Sequence, residues 1–226
     1  MQSTWFTGRC DTDGKKMETF APGLFRCPEC NLITCDSPKD ANLYDEKYLE
    51  HYRELSKTEL GEKIAAFRWG FLRRYMNGHT TLLDYGAGPG AFLRSPHAIP
   101  GVKLEGYDIN PASEFCKDYS RRPDVVTAFD VIEHMESPRE WIEHLNPKLL
   151  VILTPNVDPV MNTPSRGPIT GWRHYKPGEH LHYYGLKSLS ALIHKCGYRV
   201  EGWDYLEATH RNQEHCRDLV TMAASR

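Results

Sequence analysis

Thr81-Leu-Leu-Asp84-Tyr-Gly86-Ala-Gly88-Pro-Gly90-Ala-Phe-Leu93 reads as a strand, a glycine turn and the start of a helix. Leu82 and Leu83 suit a strand buried on both faces of a parallel sheet. Gly86, Gly88 and Gly90 permit a tight turn that a ligand can approach closely, and Ala91-Phe92-Leu93 predicts a helix opening directly behind it. A helix N-terminus with free N–H groups beside such a turn is a ligand seat.

The turn alone admits two ligands, because Gly86-x-Gly88-x-x-Ala91 also satisfies the dinucleotide fingerprint. Asp84 tilts the choice: a carboxylate there repels a pyrophosphate and attracts a cationic amino-acid moiety, which favours S-adenosylmethionine (SAM). Val102 to Asp108 reads as the next strand and ends in a carboxylate 18 residues past Gly90. At that spacing an acidic residue accepts hydrogen bonds from ribose hydroxyls; the plainer reading of Asp108 is an Asx turn at a strand end. Pro123 to Phe129 is a third buried strand, running into the polar cluster Asp130-Val-Ile-Glu133-His134 at the carboxyl edge of the sheet. Ser137-Pro138-Arg139-Glu140 predicts a capping box with proline at the first helical position, and Leu149 to Asn156 a further parallel-type strand. The alternation of strand and helix gives an α/β class with a doubly wound, mostly parallel sheet.

A chain of 226 residues holds one such domain and a small appendage. Its 28 Lys and Arg against 30 Asp and Glu leave a net charge of −2, so no global basic field draws it to nucleic acid or to an anionic membrane. No apolar run is long enough to span a bilayer and the first residues lack a basic-then-apolar signal pattern, which predicts a cytoplasmic protein without a membrane partner. Cys10, Cys27, Cys30 and Cys35 fall in a segment with too few apolar residues to fold by burial alone. Cys27-Pro-Glu-Cys30 has knuckle spacing, and tetrahedral zinc on thiolates would supply the folding energy, with Cys10 and Cys35 as the other ligands, or Asp13 in place of Cys35. A reduced, partly disordered arm and a redox CxxC are the alternatives.

Three parts follow: a cysteine-rich zinc-binding-type segment over 1–40, a helical lid or linker over 41–79 and a SAM-binding domain over 80–226. In the second part Leu60, Ile64, Phe67, Phe71 and Tyr75 form a helical stripe that stops at Asn77-Gly78. Residues 157–184 show no periodicity but collect Arg166, Trp172, Arg173, His174, Lys176, His180 and His182, and a loop of that length in a compact domain is a functional one. Leu186 to Ile193 predicts an amphipathic helix stopped at Gly197, and Tyr198 to Glu207 with Asp218 to Ala224 a closing strand pair.

Asp84-x-Gly-x-Gly-x-Gly90, Tyr107-Asp108, Asp130-Val-Ile-Glu-His134 and Thr154-Pro-Asn156 together resemble class I SAM-dependent methyltransferases, in particular the group that includes ubiquinone-biosynthesis O-methyltransferases. The likeness covers most of residues 60–224, and a dinucleotide fold predicts neither of the last two motifs. The cysteine segment followed by Asn42-Leu-Tyr-Asp-Glu-Lys-Tyr48 is similar to the N-terminal extension of many bacterial and phage relatives. The resemblance implies a Rossmann-like fold. It places Asp84 and the Gly86, Ala87, Gly88 and Gly90 backbone on the methionine part of SAM and Asp108 on the ribose. Tyr85 and Ile109 stand beside these, and Phe129 and Asp130 line the sulfonium side.

The chemistry so implied is an SN2 displacement at the methyl carbon, which requires in-line positioning of a nucleophile and exclusion of water. The acceptor atom is an oxygen, or a nitrogen or carbon, of a small-molecule or sugar-like compound. Glu133, His134 and His180 are the candidate catalytic residues. Resemblance to small-RNA terminal 2′-O-methyltransferases and ubiquinone O-methyltransferases adds a divalent cation on these three; hydrogen-bonding support of the pocket and general-base work by a histidine are the other readings. A nucleic-acid acceptor, met by Arg166, Trp172, Arg173, His174 and Lys176, is one alternative. A non-catalytic SAM-binding or zinc interaction protein is the other.

Overall fold

The computed structural model describes residues 6–37, 44–115, 118–119, 122–211 and 216–226. Asn42 and Leu43 of the expected extension motif lie outside them. The chain opens with three short strands, β1 (Glu18–Ala21), β2 (Leu24–Arg26) and β3 (Ile33–Cys35), followed by helices α1 (Glu46–Ser56) and α2 (Glu59–Arg73). Both helices begin as their sequences dictate: the Asp45 side chain accepts from Tyr48 N and Thr58 Oγ1 from Gly61 N. Then come β4 (Thr81–Tyr85), β5 (Lys103–Tyr107), β6 (Val125–Phe129), a 3-10 turn at Ile132–His134, α3 (Pro138–Leu145) and β7 (Leu149–Pro155). The chain ends with α4 (Asp158–Asn162), β8 (His182–Tyr183), α5 (Leu186–Lys195), β9 (Arg199–Asp204), α6 (Leu206–Arg211) and β10 (Leu219–Ser225).

The main sheet runs β5-β4-β6-β7-β10-β9, with β5, β4, β6 and β7 parallel and β10 inserted antiparallel between β7 and β9. Every residue of β6 and β7 is buried, as strands covered on both faces require. Strand order reverses on either side of β4, so the carboxyl end of β4 is the topological switch point where an open α/β sheet leaves a crevice. A second sheet, β1-β2-β3-β8, joins the N-terminal segment to residues 182–183. The segment also shares the main core, since Cys10, Met17, Cys27, Cys30 and Leu32 pack in one cluster with Ile152, Leu192 and Val220. No helix among the described residues is long and apolar enough to cross a membrane.

Four local expectations are corrected. No helix follows the glycine turn. Arg94 N→Gly90 O and Ser95 N→Phe92 O close one turn only. Pro96 then removes a donor and disfavours helical backbone at Ser95. Phe92 instead stacks on Trp69 of α2 (ring centroids 4.3 Å, 14°), whose indole N–H donates to Phe92 O at 2.9 Å. The loop after β7 contains α4, two 3-10 turns and β8. The strand expected to run to Glu207 ends at Asp204, where the side chain accepts from Leu206 N and starts α6. Pro138 does open α3, but Ser137 makes no side-chain cap.

Candidate active site

The glycine turn folds over the end of β5. Gly86 N and Ala87 N both donate to Tyr107 O, at 2.7 and 2.9 Å. Gly86 (φ 83°) and Gly90 (φ 78°) adopt left-handed backbone in crowded places: an added Cβ at Gly86 would strike the Val131 side chain, and one at Gly90 would meet the Phe115 ring at 2.6 Å. Gly88 (φ 54°) faces open space, so ligand access is left there. Asp108 receives Gly88 N on one carboxylate oxygen at 2.6 Å and Asn110 N on the other at 2.8 Å. Asn110 in turn donates to Asp45 O at 3.1 Å and ties the start of α1 to this edge. Beside it Ile109 is 64% exposed, an apolar surface at the mouth of the crevice. Asp84 is buried beneath the turn, where Thr127 Oγ1 donates to it at 2.7 Å and burial lifts its carboxyl to about 7. Tyr85 sends its ring to Tyr107, Tyr119 and Trp141.

Phe129 lies under the Arg68 guanidinium, 4.3 Å from its ring centroid. Asp130 has left-handed backbone (φ 58°) and accepts from Arg68 at 3.1 Å and Arg211 at 2.7 Å. Burial pushes its carboxyl up, but the Arg211 and Arg68 charges outweigh this and hold it below the usual carboxylate range. Arg68 also grips Glu207 with two hydrogen bonds, and Arg211 pairs with the same carboxylate. The sequence reading did not include Arg68, Glu207 or Arg211. One signal was present: Arg68 stands on the apolar stripe of α2 with Ala65, Trp69 and Leu72, where a lone charge needs a partner.

The 3-10 turn after β6 presents Glu133 and His134, and the chain before β8 brings His180 beside them. Glu133 Oε2 accepts from Thr154 Oγ1 at 3.0 Å, while Oε1 is buried without a hydrogen-bond partner. His134 Nδ1 lies 2.9 Å from Glu179 O, which assigns the proton to Nδ1 and leaves Nε2 as a lone pair 3.8 Å from Glu133 Oε1. His180 is buried, its Nδ1 also has no partner, and its ring meets that of His134 at 4.7 Å and 82°. One ligand atom from each of the three lies within 4.8 Å of the others. Burial and the nearby Asp130 charge raise Glu133 well above the usual range, and burial lowers both histidines, so the imidazoles are neutral. Tyr44 covers this group, 6.0 Å from the His134 ring.

Side chains of the long loop are tied to carboxylates of the chain itself. Arg166 donates twice to the Asp218 carboxylate (2.7 and 3.0 Å) and the Trp172 indole donates to it at 3.2 Å. Lys176 pairs with Glu179 at 3.0 Å.

In the N-terminal segment Cys10, Asp13, Cys27 and Cys30 bring their ligand atoms within 4.8 Å of one another. Cys10 Sγ is 3.6 Å from Cys30 Sγ, and Cys27 Sγ is 3.3 Å from Asp13 Oδ2. Two loops build the group by the same backbone bonds: Cys10 N→Lys15 O and Gly14 N→Cys10 O in one, Cys27 N→Leu32 O and Asn31 N→Cys27 O in the other. The fifth residue of each is left-handed, Gly14 at φ 72° and Asn31 at φ 67°. Cys10-x-x-Asp13 is thus a second knuckle with a carboxylate in its last place. Cys35, the expected fourth ligand, is corrected to a core residue: it packs with Val157 and Tyr183, and its thiol meets Ser37 Oγ at 3.1 Å. The period-2 alternation of β3 turns it away from the knuckles.

Comparison with known proteins adds the following. The family model described as a methyltransferase domain matches residues 44–202. Among solved structures, the plantazolicin methyltransferase BpumL in complex with SAH is 14% identical, covers 82% of this chain and 91% of its own, and superposes with a TM-score of 0.54. The magnesium protoporphyrin IX methyltransferase (ChlM) from Synechocystis PCC 6803 with bound SAH is 13% identical over 82% of this chain and 97% of its own, with a TM-score of 0.55. A SAM dependent methyltransferase from Archaeoglobus fulgidus is 18% identical over 79% and 100%, with a TM-score of 0.53. At such identities the likeness is one of fold. No curated protein sequence matches the chain.

Proposed function

This chain belongs to the methyltransferase-domain family and is a SAM-dependent methyltransferase, and from that premise we propose that it transfers the methyl group by SN2 displacement to an oxygen of a small, polar acceptor. The observation that carries this reading is the placing of Glu133, His134 and His180, with two buried ligand atoms unpartnered, on the sheet edge that also bears the glycine turn and Asp108. Asp84 and the Gly86, Ala87, Gly88 and Gly90 backbone take the methionine end, Asp108 the ribose and exposed Ile109 one face of the base. Phe129 lines the sulfonium side; Asp130, neutralised by two arginines, shapes that side without offering a free carboxylate.

The residues of the acceptor edge also fit a divalent cation, since two neutral imidazoles and a carboxylate converge on it. Such a cation would orient acceptor oxygens and acidify the attacking hydroxyl. Without a cation, His134, fixed by the Glu179 carbonyl, presents its single Nε2 lone pair to the acceptor hydroxyl as general base, and Tyr44 excludes water above it. The small-molecule reading is favoured over a nucleic-acid acceptor because Arg166 and Trp172, two of the residues expected to meet nucleic acid, are tied to the buried Asp218 carboxylate. We read the cysteine group as a structural zinc site with Cys10, Asp13, Cys27 and Cys30 as ligands.

The test is calorimetric titration with SAM and SAH, followed by transfer of labelled methyl to a fractionated metabolite pool. Binding with a labelled small-molecule product is expected; tight binding without product across broad acceptors would instead support a non-catalytic SAM-binding protein. His180→Ala should lose at least about a hundredfold in turnover with SAM affinity kept. Metal analysis should find zinc near one equivalent, lost in Cys27→Ser and Cys30→Ser; a folded, metal-free protein removes the zinc reading.

A further inference from the structure

One ladder of backbone bonds joins the N-terminal segment to the acceptor edge. Cys35 N donates to Leu181 O at 2.9 Å, and Leu181 N donates to Glu133 O at 2.7 Å. Strands β3 and β8 pair with Ile33 opposite Tyr183 and Thr34 opposite His182. Thr34 Oγ1 and His182 Nδ1 close a buried hydrogen bond of 3.1 Å across that pair. The residue preceding Leu181 is His180, so its place depends on a strand that the cysteine segment supplies.

We propose that the N-terminal segment is a positioning element of the acceptor site, with Thr34 and the Cys35 backbone setting where His180 stands. The proposal rests on the reading of Glu133, His134 and His180 as the acceptor edge. Three physical points carry it. A strand of two residues has no stability of its own and takes its register from its partner. On its other side this stretch is held by the single Leu181 N→Glu133 O bond and by an isolated bridge between Asn156 and Tyr184, so β3 supplies the paired edge that sets its register. A one-residue slip against β3 would move the chain by about 3.3 Å and exchange the faces of His182 and Tyr183, carrying His180 out of reach of His134. The segment in turn owes its shape to the knuckles: β3 follows directly on the Cys27 loop, whose last bond, Cys27 N→Leu32 O, ends one residue before Ile33.

Thr34→Val in the full chain removes the hydroxyl and keeps the shape. Amide hydrogen exchange over residues 181–184 should quicken about tenfold, with the β10 amides unchanged. The His180 imidazole resonances should shift while those of exposed His144 stay, and Thr34→Ser should restore both readouts. Zinc content and SAH affinity should match the parent. Asp13→Ala, which loosens the knuckles instead, should quicken the same amides further. Unchanged exchange at 181–184 and unchanged His180 signals in both variants would overturn the proposal. Failure of the other readings is separately visible: a parent without zinc refutes the metal site, and a parent that does not bind SAH refutes the cofactor assignment, while Thr34→Val still decides the ladder.

Discussion

Asp84 is 3% exposed, and burial lifts its carboxyl from 3.8 to about 7 despite the Thr127 hydrogen bond. Between these values the folded chain keeps a proton that the unfolded chain has released, so stability without cofactor falls as pH rises across that window. A shift of this size corresponds to roughly 4 kcal/mol at neutral pH. Asp84→Asn removes the ionisable group and, with no ligand, should be the more stable protein at pH 8, by about 2 kcal/mol in urea titration. The same change should weaken SAH binding about tenfold to a hundredfold, because the amino group loses a charged partner. Opposite signs in the two measurements are what a ligand-directed carboxylate requires. Equal SAH affinity in parent and variant would make Asp84 a structural residue only.

Two glycines of one turn differ in what a side chain would meet, which separates folding from binding. Gly86→Ala forces a methyl onto Val131 at φ 83° and should cost about 2 kcal/mol of stability together with cofactor binding. Gly88→Ala adds its methyl to open space at φ 54°, so it should cost about 1 kcal/mol and still lose SAH affinity about tenfold. Thermal unfolding and calorimetry of the pair check both. The turn itself was legible because three glycines behind a buried apolar pair have few other uses, as were β4, β6, β7, α2 and α5 from unbroken apolar runs or helical stripes. The missing helix after the turn was also written in the chain, in Ser95-Pro96, but the fingerprint overrode the breaker. Strand β8 was not legible, since two residues carry no periodicity and owe their state to a partner about 150 residues earlier. Asp13 was legible only as the alternative to Cys35: cysteine spacing marks knuckles, and the choice between thiolate and carboxylate is decided when the two loops are seen to share their backbone bonds.

At the scale of the molecule, helices from distant parts of the chain meet over the sheet edge through charges. Arg68 of α2 and Arg211 of α6 share Glu207 and Asp130, giving two cations and two anions with little solvent. Such a set contributes modestly when whole, because each ion was taken out of water, but breaking it leaves a buried charge unpaired. Arg68→Met therefore should destabilise the chain by about 3 kcal/mol in urea titration, more than the packing lost by an isosteric stem explains. Glu207→Leu alone should cost a similar amount, as it strands Arg68 and Arg211 against one carboxylate. The double variant Arg68→Met with Glu207→Leu leaves one arginine on Asp130, and it should recover about half of the summed loss, giving a coupling energy on the order of 3 kcal/mol. Additive losses would mean that the four groups act as separate surface contacts. Recovery of stability without recovery of SAH affinity would show that Arg68 is retained to hold Phe129 and Asp130 at the sulfonium side, where its guanidinium already lies 4.3 Å from the aromatic ring.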